Sequence, residues 1–346
     1  MKPRPRHILY AAIAAPVAAL LVAWLGVIGV GAASGHWALT EWFLHFAMRS
    51  SVRTASLGET APPPPTDALR PAAGHFATGC APCHGAPGVP RPPSVQAMLP
   101  TPPDLASVVG TWSDAELHRI VMHGVRFTGM PAWPDPARED EGWMMVAFLR
   151  ALPDLDPRRY AELVAPPGAP PEDTLPAACA GCHGWTGRDG DAQVPRLAGQ
   201  SEAYLRASLD AYARGTRASG VMRQAVTGLS ADDRATLARM LAALPPGDDA
   251  SATTRATAEP PAIATRGRSE TGVPACLSCH GRPGQAGAPR LEGQPADYLA
   301  GQLRLFRDGV RGGGPYAGLM TQAASGLEDD EIEAVSAWFA GRAARD

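Results

Sequence analysis

Three short stretches dictate most of what this chain can become: "CAPCH" at 80–84, "CAGCH" at 179–183 and "CLSCH" at 276–280. They lie 99 and 97 residues apart and take up all six cysteines of the 346-residue chain. Disulfides within such pairs would close tight, strained loops and leave the repeated histidine without a purpose. Zinc needs four ligands from one locality, and each copy offers two sulfurs and one imidazole. A dithiol redox site needs a strand–helix setting that the flanking residues lack. Covalent haem attachment uses all three residues. Positions i and i+3 share a face of one helical turn, so both sulfurs reach the two vinyl groups along one porphyrin edge. The histidine directly behind then meets the iron. The pattern therefore predicts three covalently bound c-type haems, carried by Cys80 and Cys83, Cys179 and Cys182, and Cys276 and Cys279, with His84, His183 and His280 as proximal iron ligands.

The stretches between the motifs are rich in proline: "ETAPPPPTD" (59–67), "APPGAPPEDT" (165–174) and "PPGDDASATTRATAEPPAIAT" (245–265). These read as extended or flexible linkers. They divide the chain into a cytoplasmic tail and anchor (1–35), an interfacial segment with a Pro-rich linker (36–67), and three units at 68–160, 172–246 and 266–346. The second and third units are duplicates. "VPRLAGQSEAYLRASLDAYARGTR" (194–217) matches "APRLEGQPADYLAGQLRLFRDGVR" (288–311), and Pro195, Leu197, Gly199, Gln200, Tyr204, Leu205, Leu209, Gly215 and Arg217 each recur 94 positions later. Tyr204, Leu205, Leu209 and Tyr212 fall at helical spacing, which predicts an amphipathic helix packed on a core. Further helices are expected at 113–124, 141–152, 230–244 and 328–342, with Ser113 and Ser230 as N-caps. No alternating strand pattern occurs, so each unit is expected to be small and all-α.

The N-terminus sets the compartment. Lys2, Arg4 and Arg6 precede a run without charge from Ile8 to Ala33. That run exceeds the core of a cleaved signal and suffices for a membrane span. The expectation is a retained single-pass anchor in a bacterial inner membrane, N-terminus cytoplasmic and everything after it periplasmic. "GAA" at 31–33 leaves signal-peptidase cleavage open. Trp37, Trp42, Phe43 and Phe46 then suit either the membrane interface or packing on a protein partner. The net charge of −3 gives no reason to expect nucleic acid.

The motif-bearing units resemble class I cytochromes c. Phe76, four residues before Cys80, stands where that family places an aromatic of its N-terminal helix. The second and third units resemble the fused lobes of dihaem cytochromes of the c-four type, through "PRLxGQ" (195–200 and 289–294) with a later "YL" and a later methionine. "FTGMPAWPD" (127–135) resembles the methionine loop of single-haem members and points to Met130 as the sixth ligand, with His118 and His123 as rivals. Met222 and Met320 are the counterparts in the other units, 98 residues apart. The three methionines follow their histidines by 46, 39 and 40 residues, in irregular stretches suited to wrapping the far side of a haem. Met122, Met144, Met145 and Met240 read as core residues. The resemblance further implies that the carbonyl of Pro195 or Pro289 accepts the ring N–H of the proximal histidine. In the first unit Pro93, Pro102 and Pro103 remain open for that role. Arg217 and Arg311 are open between pairing with haem propionates and standing as solvated helix-end cations.

The fold expected is thus all-α: a transmembrane helix followed by three tandem class I cytochrome c domains. Histidine–methionine ligation raises the potential and fills both iron faces. The function expected is outer-sphere electron relay, from a periplasmic dehydrogenase as donor to a respiratory oxidase, soluble cytochrome or quinone as acceptor. A multihaem enzyme with one open haem, such as a peroxidase or a small-molecule-oxidising cytochrome, is the alternative. No catalytic residue is assigned.

Overall fold

A computed structural model describes residues 4–26, 29, 31, 35–63, 69–166, 168–170, 174–188, 192–245, 259–281 and 287–342. Parts of the Pro-rich linkers (64–68, 167, 171–173 and 246–258) and residues 32–34 lie outside the described residues. Among the described residues the structure is helical, with only two isolated bridges, Ala86 to Val89 and Arg268 to Val273, in place of strands.

The helix Pro5–Trp24 runs through Pro16 and is exposed along its length. It is the one described helix long and apolar enough to cross a membrane. The helix Ala38–Ala55 has two characters. Its first half leaves Leu39, Trp42, Phe43 and Phe46 more than half exposed. Its second half is tied down, with the Arg49 guanidinium 4.8 Å from the Trp112 ring and Arg53 3.5 Å from Glu116.

Three hydrophobic cores follow in chain order. The first gathers the helices Leu69–Gly79, Asp114–His123, Glu139–Ala151 and Pro157–Val164 around Phe76. Phe76 is fully buried, 5.0 Å from the ring of Phe148 and edge-on to Tyr160 at 6.3 Å. These contacts fix the helix that leads into Cys80. Ser113 caps the second of these helices and forms a reciprocal pair with Glu116, which satisfies two N–H groups a helix start leaves open. Ser230 and Asp233 do the same for Ala231–Ala243.

The second core is small: Leu175, Ala180, Leu205, Ala238 and Leu241. The third is larger and centres on Ile332, Val335 and Phe339 of the helix Asp329–Ala340. The acidic start of that helix is engaged within the chain. Asp329 meets Arg304 and Arg307, Glu333 meets Arg304, and Glu331 meets Arg268.

The two duplicated segments face each other through a reciprocal contact. The Gln200 side chain donates to the Arg290 carbonyl at 2.8 Å and accepts from the Arg290 N–H at 2.9 Å. Gln294 makes the same pair of bonds with Arg196, at 2.8 and 3.0 Å. Both glutamines are buried. The repeat of 94 residues in sequence thus becomes a pseudo-two-fold interface, in which equivalent patches contact each other. Replacing Gln200 by Leu strands both backbone groups of Arg290. The expected loss is about 1–3 kcal/mol, read as a lower denaturant midpoint for the transition that includes the third core.

Candidate functional site

The three CxxCH motifs lie on short helical turns: Ala81–His84, Ala177–His183 and Leu277–His280. None of the six cysteines is in a disulfide. Each histidine directs Nδ1 at a proline carbonyl: His84 at Pro103 (2.9 Å), His183 at Pro195 (3.0 Å) and His280 at Pro289 (3.1 Å). A carbonyl only accepts, so Nδ1 carries the proton and Nε2 carries the lone pair that binds a metal. This resolves the three open prolines of the first segment in favour of Pro103. Its neighbour Pro102 accepts from Arg91, which pins the same loop. Burial lowers the pKa of all three imidazoles below the ordinary value, and the bond to the proline carbonyl opposes this in each. Neutral rings are the form a metal needs.

One cavity of about 2200 Å³ is lined by His183, Cys179, Cys182 and Met222 from the second segment and by His280, Cys276, Cys279 and Met320 from the third. That exceeds a typical small-molecule pocket of roughly 300–1,000 Å³, so it has room for more than one group. Arg217 and Arg311 stand on the wall between the two motifs, and neither bonds to a carboxylate among the described residues. Arg217 is 5% exposed, and its bonds run to neutral groups: Ser208 (3.0 Å), Tyr298 (3.2 Å), Gln302 (3.4 Å) and Tyr204 (3.5 Å). Arg311 reaches Tyr204 at 3.4 Å. Arg311 Nε and Arg290 Nη1 are buried without a hydrogen-bond partner among the described residues. Burial pushes the Tyr204 phenol up, but Arg217 and Arg311 outweigh it and draw it down to about 7. Inward guanidiniums with no carboxylate among their bonds call for an anionic occupant. A c-type haem, with an iron for Nε2, vinyl carbons for the sulfurs and two propionates for the guanidiniums, fits this donor set. Arg217 is therefore not a solvated helix-end cation.

Helical spacing alone puts Tyr204 and Tyr212 on a face packed against a core. The structure instead places both on the cavity wall, where Tyr204 bridges Arg217 and Arg311. Helical periodicity marks an inward face but does not separate a core from a cavity. The recurrence of the Tyr–Arg pair at 298 and 311 was the available signal.

In the first segment, Met130 is half-buried, and its N–H is held by the Thr128 hydroxyl at 3.1 Å. Met122 sits in the core. His118 has both ring nitrogens engaged, with Glu59 at 2.6 Å and the Glu139 carbonyl at 3.2 Å, and stacks on Trp143 at 4.0 Å. It is not available to an iron. His123 is exposed. The first and second motifs approach one another through the helices Leu69–Gly79 and Ala177–His183, and a Cβ at Gly74 would stand 2.8 Å from Cys182 Sγ.

Comparison with known proteins agrees with this chemistry. Residues 174–240 and 266–341 match the family described as cytochrome c, and residues 67–149 match cytochrome c oxidase, cbb3-type, subunit III. The chain belongs to the cytochrome c family, and it is an electron-transfer protein with covalently bound c-type haem. Over 206 residues it is 39% identical to a thiosulfate dehydrogenase electron acceptor of Thiomonas intermedia, spanning 58% of this chain and 90% of the relative. It is 34% identical over 169 residues to cytochrome c4 of Pseudomonas aeruginosa, 48% of this chain and 84% of that protein. A solved cytochrome c4 of Acidithiobacillus ferrooxidans aligns at 34% identity with a TM-score of 0.40, covering 47% of this chain and 98% of the other.

Burial of His75 against Trp133, with ring centroids 4.5 Å apart, pushes its pKa down to about 4. The unfolded chain takes up this proton near 6.5, so stability is full above that pH and falls as the pH drops from 6.5 towards 4. The span corresponds to about 3 kcal/mol. His75→Phe keeps a ring against Trp133 and is expected to reduce the acid loss, seen by comparing denaturant midpoints at pH 7 and 4.5.

Proposed function

We propose that this chain is a membrane-tethered, periplasmic cytochrome c with three haems, which relays single electrons from thiosulfate dehydrogenase to a respiratory acceptor. The three haem-bearing segments correspond to 68–160, 172–246 and 266–346. The observation that carries the reading is the threefold recurrence of one arrangement: a CxxCH turn whose histidine donates Nδ1–H to a proline carbonyl. Cys80 and Cys83, Cys179 and Cys182, and Cys276 and Cys279 hold the haems. His84 with Met130, His183 with Met222 and His280 with Met320 would hold the irons.

Each haem, when bound, supplies an iron that cycles between two oxidation states without making or breaking bonds. The chain's own residues prepare the setting. The proline carbonyls fix the imidazole tautomer and raise ring basicity. The thioethers are soft neutral ligands that favour the reduced iron and raise the potential. Arg217 and Arg311 hold the propionate side and place positive charge near both haems of the duplicated pair. The wall of Tyr204, Tyr212 and Tyr298 limits water. The exposed helix Pro5–Trp24 tethers the chain to the inner membrane, and the aromatic half of Ala38–Ala55 lies at the bilayer surface. The donor follows from the relative in Thiomonas intermedia, which is a thiosulfate dehydrogenase electron acceptor.

Two measurements test this. Intact mass of the chain, purified from a host that matures c-type cytochromes, is expected to exceed that of the polypeptide by three haems, and Cys80→Ala with Cys83→Ala is expected to remove one. Mixing the oxidised protein with thiosulfate dehydrogenase and thiosulfate is expected to reduce it; no reduction would remove that donor. Carbon monoxide binding by the native reduced protein would replace the relay with a catalytic reading.

A further inference from the structure

The segment that carries Met222 is tied by polar bonds to the first segment. Met222 belongs to the short helix Gly220–Ala225, and every backbone N–H from 219 to 222 is held by a carboxylate of the first segment, directly or through one hydroxyl. Asp135 accepts from the Ser219 N–H at 3.1 Å. Glu141 accepts from the N–H groups of Gly220 at 2.7 Å and Val221 at 3.3 Å. The Met222 N–H donates to the Ser219 hydroxyl at 3.1 Å, and that hydroxyl donates to Glu141 at 2.6 Å. Trp133 also donates to Glu141, at 3.0 Å. Arg138, 3.0 Å away, balances its charge and itself donates to the Ala218 carbonyl at 2.9 Å. Glu141 is 5% exposed, so this is an interior clamp between parts of the chain 78 residues apart. A Cβ on Gly220 would collide with the Trp133 indole.

The duplication provides a control inside the same molecule. Met320 occupies the equivalent place in the helix Ala317–Ala324, where Ala317 replaces Ser219. That helix has no side-chain cap, Gly318 faces open space and Leu319 is 64% exposed. The helix forms there without such a clamp.

We infer that Glu141 is a positioning residue for Met222: the first segment holds the sixth ligand of the middle haem in place and thereby makes the two duplicated haems inequivalent. The inference rests on the reading of Met222 as that ligand. A thioether is a weak ligand, and its retention at the iron depends on how firmly its backbone is held. A buried carboxylate making several charge-assisted bonds is a firm holder. Met320, without it, is the ligand that yields first.

The test uses the haem-loaded full chain and two readouts, the methionine-to-iron charge-transfer absorbance of the oxidised protein and carbon monoxide uptake by the reduced protein. Met222→Ala is expected to lose one haem's share of the absorbance and to bind one equivalent of carbon monoxide. Glu141→Ala is expected to give a partial form of the same signature, with the bands of the other two haems intact. Glu141→Gln, which keeps the shape and one acceptor oxygen, is expected to restore part of it. If Met222→Ala shows the signature while Glu141→Ala and Ser219→Ala both keep full absorbance, the positioning role is overturned and the ligand stands. If Met222→Ala changes nothing, the ligand assignment itself falls, and the inference with it. Should Glu141→Ala disturb all three haems, Ser219→Ala decides, because it removes only the bridging hydroxyl: the one-haem signature supports the role, and wild-type absorbance overturns it.

Discussion

The bond from a histidine Nδ1 to a proline carbonyl organises the rest of the molecule. It occurs three times, at 2.9 to 3.1 Å, and each instance sets a ring plane and a tautomer. To make it, the chain must return a loop to the CxxCH turn within 9 to 19 residues. The helix before the first turn is then held by Phe76, locked between Phe148 and Tyr160. Burial keeps the imidazoles neutral, and the same burial makes the surrounding polar groups costly unless each is paired. The polar contacts between segments follow from that cost.

The middle segment touches both its neighbours, and the two contacts are of opposite sign. Towards the third segment the buried charges are cations, Arg217 and Arg311, surrounded by phenols and amides with no carboxylate among their bonds. Towards the first segment they are carboxylates, Asp135 and Glu141, receiving backbone N–H groups and one arginine. The cationic side suits a ligand that brings negative charge. The anionic side is complete within the polypeptide, which suits a mechanical joint. The two interfaces therefore differ in kind although one flank of each belongs to the same middle segment.

The cofactor chemistry was largely legible in the sequence because it depends on local spacing. CxxCH and the 94-residue repeat are patterns along the chain. The histidine contact in the first segment was not, since Pro93, Pro102 and Pro103 differ only in how an irregular loop folds back. Tyr204 and Tyr212 have the periodicity of core residues, and no periodicity distinguishes a filled interior from a cavity awaiting a ligand. Glu141 was hidden for a further reason: it begins an ordinary amphipathic helix, among three acidic residues that suit any helix start. Its partner Ser219 lies 78 residues away in an irregular stretch. Nothing in one dimension connects them.

The reciprocal bonds of Gln200 and Gln294 have a consequence for how the two duplicates diverge. In a pair of identical subunits, any substitution appears on both sides at once, and assembly weakens on dilution. Here the partners share one polypeptide, so association is intramolecular and each copy varies alone. Serine at 219 and alanine at 317 show such independence at work: matching halves joined by an amide backbone are free to acquire unequal neighbours while keeping their mutual seam.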